Sequence, residues 1–102
     1  MRTEVTCSPG RTRVRAGAAL ADVVVLDDLV DVHFSTPGGH QPADVRSSLV
    51  DAVFELPELQ TRHQLHATVP LGDAELLFQV RRHCPGAHVR AAGASCLLDG
   101  EL

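Results

Sequence analysis

The hydrophobic pattern changes its period at Ser35-Thr36-Pro37-Gly38-Gly39-His40-Gln41-Pro42, and that change restricts the chain to mixed α/β architectures. Before this break, apolar and polar residues alternate, as they do when successive side chains point to opposite faces of a strand. Thr3, Val5 and Cys7 alternate with Arg2, Glu4 and Thr6, Ser8-Pro9-Gly10 supplies a turn, and Arg11 to Ala16 resumes the alternation, so a hairpin is expected. Val23 to Leu26 and Leu29 to Phe34 form either a strand pair turning at Asp27-Asp28 or one long bent strand. Either way, Val30, Val32 and Phe34 share one face and Asp31 and His33 the other.

After the break the period becomes helical. Val45, Leu49, Ala52, Val53 and Leu56 fall on one stripe, Pro42 suits the first turn, Asp44 complements the helix dipole and Pro57 closes the segment. From His63 the pattern reads as a β-α-β unit. Leu65, Ala67 and Val69 make the strand, and Asp73 caps a helix that turns Leu76, Leu77 and Val80 inward. Arg81, Arg82 and His83 occupy the last turn and Pro85-Gly86 stops it. A strand begins at Val89, and Gly93 marks a bulge or turn before Cys96 to Leu98. The expected fold is a two-layer α/β (α+β) domain with a mostly antiparallel sheet, two helices and a C-terminal β-α-β unit with parallel strands, formed by residues 1–102 as a single domain.

With three aromatics, Phe34, Phe54 and Phe78, the core must be built from Val, Leu and Ala, which bury less area than large rings. A limited core and exposed strand edges point to a homo-oligomer, a dimer in the first instance. The chain has no Lys, Asn, Ile, Tyr or Trp, a composition expected of a GC-rich bacterial genome, and it therefore has neither a Schiff-base lysine nor a phenolic acid. A net charge of -4 argues against general nucleic-acid binding, which needs a basic surface. Cys7, Cys84 and Cys96 are an odd set without disulfide spacing, and no apolar signal segment stands at the N-terminus, so a cytoplasmic location is expected. The run Val23 to Leu26 is far too short to cross a bilayer, and no membrane association is expected.

The order of elements over residues 20–102, with the glycine-containing loop Pro37-Gly38-Gly39-His40-Gln41-Pro42 opening a helix, resembles the C-terminal two-thirds of the GNAT-type acyltransferase superfamily. The resemblance implies that this loop holds the pyrophosphate of acyl-coenzyme A on backbone N–H groups. The glycines here are adjacent, no Arg or Gln precedes them at the family's spacing, and Pro42 removes one N–H donor. The tyrosine that often serves the family as general acid has no counterpart.

Gly38, Gly39 and His40 are the candidate anion-binding residues, because helix N-termini present unpaired N–H groups and glycines let a phosphate approach the backbone. His63, His66, His83 and Cys84 are metal-ligand types, but nothing in their spacing assembles a site, and no metal is expected. Cys84, at a helix C-terminus, and Cys96, in an apolar strand, read as small buried hydrophobes. Ser35, Ser47 and Ser95 belong to no nucleophile motif. Arg11, Arg13 and Arg15 line one strand face, either as an anion or acidic-partner site or as a solvated, charge-protected edge. The function expected is a non-catalytic binding or protein-interaction module that self-associates, with no resident cofactor. The alternative is a reduced GNAT-like acyl-coenzyme A-binding protein or acyltransferase, for which coenzyme A would be the ligand.

Overall fold

The computed structural model describes residues 3–36 and 43–102. Its strands are β1 (Thr3–Ser8), β2 (Arg11–Ala16), β3 (Ala19–Leu26), β4 (Leu29–Ser35), β5 (Gln64–Pro70), β6 (His88–Ala92) and β7 (Ser95–Glu101). The helices are α1 (Ala43–Phe54), α2 (Pro57–Thr61) and α3 (Ala74–His83). The seven strands form one sheet in the order β1-β2-β3-β4-β5-β7-β6. Every neighbouring pair is antiparallel except β4 and β5.

The alternation in the sequence becomes a two-sided sheet. Val14, Ala16, Ala19, Ala21, Val23, Val30, Val32, Phe34, Leu65, Ala67, Val69, Cys96 and Leu98 are buried and share one face with the helices. Leu49, Val50, Val53, Leu76 and Val80 reach the same core from α1 and α3. The thinnest dimension of the molecule is 22 Å, which fits one sheet and one helix layer. Among the described residues, no helix is long and apolar enough to cross a membrane.

Tight turns set the register of the meander. Asp27-Asp28 does separate two strands, with Asp27 taking a left-handed φ of 56° that Asp tolerates. A turn the sequence pattern did not announce lies at Gly17-Ala18, where Gly17 has φ of 61° and starts β3 at Ala19, four residues earlier than the apolar run suggests. In the stretch Ala16-Gly17-Ala18-Ala19 one glycine among alanines is too weak a local signal to locate a turn.

The helices differ from expectation in one respect. Pro57 does not simply terminate the first helix: α1 ends at Phe54, and Pro57 opens α2, a third helix of 5 residues. Leu59 of α2 is buried, and the Thr12 hydroxyl donates to Glu58 Oε2 at 2.7 Å, pinning α2 to β2. The C-terminal unit also differs in detail. β5 and β6 both run antiparallel to β7 and hence parallel to each other, but β7 lies between them. The adjacent parallel pair is instead β4 and β5, joined through α1 and α2.

Candidate functional site

At the parallel boundary the β4–β5 ladder ends before either strand does. β4 stays paired with β3 as far as Ser35, and β5 stays paired with β7 as far as Pro70. Between them the parallel ladder stops at His33 and Thr68. Pro70 has no N–H to extend that ladder, so the carboxyl ends of β4 and β5 present backbone edges that do not pair with each other. In open α/β sheets, ligands enter crevices at the carboxyl ends of strands.

Asp73 stands just after the end of β5. It is the N-cap of α3, where its Oδ1 accepts from the Leu76 N–H at 3.0 Å. Thr36, just beyond β4, donates its hydroxyl to Oδ2 at 2.8 Å, and Arg46 of α1 donates Nε to Oδ1 and Oδ2 at 2.8 and 3.0 Å. One carboxylate thus ties together the end of β4, the start of α1 and the start of α3. Burial by itself pushes the Asp73 carboxyl up, but the Thr36 and Leu76 hydrogen bonds and the Arg46 guanidinium together hold it below its ordinary value. A carboxylate receiving four donor contacts is an anchor, with little capacity left for proton transfer. The cap was legible in the sequence. The Arg46 contact was not, since nothing in the helical pattern distinguishes an arginine that turns to a buried acid from one that turns to water.

Gly38, Gly39 and His40 lie outside the described residues. The other histidines are dispersed. His66 Nδ1 lies 2.6 Å from Asp99 Oδ1, across β5 and β7. A carboxylate can only accept, so Nδ1 is the donor of this contact. Asp31, His66, Asp99 and His88 occupy one row across β4, β5, β7 and β6. Asp99 and His88 also line a cavity of about 520 Å³ with Leu29, Gln64, Gly100 and Glu101.

His63 sits outside the strand, with Nδ1 3.0 Å from Asp28. His83 stacks on Phe54, ring centroids 4.2 Å apart, and reaches Asp51 at 3.3 Å. No group of three His, Cys, Asp or Glu residues suited to a metal ion exists among the described residues.

Cys84 turns inward at the end of α3, and burial pushes its thiol up, so it is a core residue and not a nucleophile. Gly100 permits this packing: a Cβ there would lie 3.0 Å from the Ala87 Cβ and 3.3 Å from the Cys84 Cβ. Cys96 is buried in β7. Ser35, Ser47 and Ser95 fall on three separate elements, β4, α1 and β7. Arg11, Arg13 and Arg15 are exposed on the sheet face opposite the helices, and Arg13 pairs with Asp22 at 2.9 Å.

No protein-family model matches the sequence, and comparison with curated proteins gives no match. Among solved structures, the chain is similar to one named "putative acetyltransferase" from Sphaerobacter thermophilus DSM 20745, with a TM-score of 0.60 and 11% identity. The match covers 90% of this chain and 67% of that one. At this identity the likeness is one of fold alone.

Proposed function

We propose that this chain is a non-catalytic binding module on a GNAT-like scaffold, whose ligand is of the acyl-coenzyme A class and docks beyond the end of the β4–β5 ladder. The observation that carries this reading is the end of the parallel ladder at His33 and Thr68 while both strands keep their outer partners. Unpaired strand edges suit a ligand that brings amide groups on an extended arm, as pantetheine does, because it can take up hydrogen bonds the sheet leaves open. Gly38, Gly39 and His40 join β4 to α1 in sequence and are the proposed phosphate-binding residues of the same ligand. Binding without transfer is favoured because Asp73 is saturated with donors and the chain has no tyrosine. A cytoplasmic location, where coenzyme A thioesters occur, accords with three free cysteines.

Thermal unfolding with coenzyme A, acetyl-coenzyme A, ATP and inorganic phosphate tests the reading. Coenzyme A at about a hundred times its dissociation constant should stabilise the native state by about 2.7 kcal/mol. For a domain of this size, that raises Tm by about 10 °C or more. Gly39→Val should abolish the shift, and His40→Ala should reduce it. No Tm change at millimolar coenzyme A would refute the reading. Equal shifts with ATP would reassign the ligand to nucleotides, and thiol release from acetyl-coenzyme A with an amine acceptor would replace binding by transfer.

A further inference from the structure

The helices cover one face of the sheet, and among the described residues no element covers the other. On the open face the half-buried side chains of Leu20, Val24, Leu29 and Leu97 are interspersed with charges. We infer that this face is a self-complementary interface through which two copies of the chain pack, sheet against sheet.

The distribution of charge selects both the occupant and its orientation. β4 is the middle strand of the seven, and β2 and β7 lie equally far from it on opposite sides. Arg11, Arg13 and Arg15 project from the open face of β2, while Asp99 and Glu101 project from that of β7. A two-fold axis running along β4 lays β2 of one copy over β7 of the other. An axis across the strands would lay arginine over arginine.

The register sharpens the match. Arg11 pairs with Val24, Val24 with Asp31, Asp31 with His66 and His66 with Asp99, so Arg11 and Asp99 share one row of the sheet. The axis along β4 therefore sets Arg11 opposite Asp99, twice in the dimer. Arg13 falls opposite Leu97 in the same way, and its aliphatic stem can cover that side chain while the guanidinium remains with Asp22. The axis brings the two Asp31 side chains, and beside them the two His33 side chains, towards each other, and the Asp31 pair is adverse.

The area suffices. Six interstrand spacings of about 4.8 Å by about six residues of about 3.3 Å give roughly 600 Å² per copy. The total of roughly 1,200 Å² is at the lower end of specific, stable interfaces, which fits a reversible dimer.

Sedimentation equilibrium from about 5 to about 500 µM protein, without any ligand, tests the inference. The wild type should pass from monomer to dimer. Arg11→Glu should weaken dimerisation by about tenfold or more, Arg11→Glu with Asp99→Arg should recover most of that loss, and Asp31→Asn should tighten it. Circular dichroism of each variant establishes that the fold is retained. A monomer throughout, or a dimer indifferent to both Arg11→Glu and Asp31→Asn, would overturn the assignment.

Discussion

Replacing Asp73 by alanine removes, in one step, the cap of α3, the acceptor of the Thr36 hydroxyl and the partner of a mostly buried arginine. An N-cap contributes about 1 kcal/mol, and a hydrogen bond to a charged group about 1.5 to 3 kcal/mol. The Arg46 side chain is 19% exposed and that of Asp73 7%, so solvent cannot fully replace the lost partner. Because one carboxylate makes all these contacts, their energies overlap, and the expected loss is about 3 to 4 kcal/mol, a large share of the stability of a domain this size. Asp73→Asn keeps an acceptor for the cap but loses the charge, and should cost about half as much. The pH dependence provides an internal control. The folded-state carboxyl is held below its ordinary value of 3.8, so its contribution is fully present above the unfolded-state value and disappears as pH falls through the folded one. Urea unfolding at pH 7 and at successive steps below pH 4 should show the gap between wild type and Asp73→Asn narrowing as acid is added. A loss below about 1 kcal/mol for Asp73→Ala at neutral pH, or a gap that does not narrow, would refute the anchoring role.

Leu49 is fully buried in α1, and Leu49→Ala should cost about 2 to 5 kcal/mol in denaturant unfolding; a loss below about 0.5 kcal/mol would mean that the side chain does not pack in the core. With a thiol reagent under native conditions, Cys7 alone should react promptly, and Cys84 and Cys96 only on unfolding, since both are buried. Rapid native labelling of more than one thiol would contradict the packing at the end of α3.

Some contacts were legible in the sequence because their causes are local. Alternation at Arg11–Ala16 and Leu29–Phe34, the stripe containing Leu49 and Val53, and the cap at Asp73 each depend on residues a few positions apart, whereas at Asp27-Asp28 the same alternation fitted a turn or a bent strand equally and the structure chose the turn. The short helix α2 escaped because a proline can either end one helix or begin the next, and the pattern before it is the same in both cases. The anion loop Gly38-Gly39-His40, readable as a glycine-rich helix entry, lies outside the described residues and is tested by the thermal shifts of the Gly39→Val and His40→Ala variants.

The period of the hydrophobic residues by itself determined that one face of every central strand would be apolar, and hence that a mixed sheet would pack against helices. Which strands became neighbours was decided only in the tertiary structure. Thr36, Arg46 and His66 find their carboxylate partners at separations of 37, 27 and 33 residues, respectively. No local propensity encodes such a pairing. It follows from closing the α1–α2 crossover so that β5 lands beside β4 and β7 beside β5, an order that buries the apolar faces of these strands together. The end of the β4–β5 ladder is local, since Pro70 has no N–H to give, but that it falls beside Asp73, Thr36 and Arg46 is a consequence of that closure.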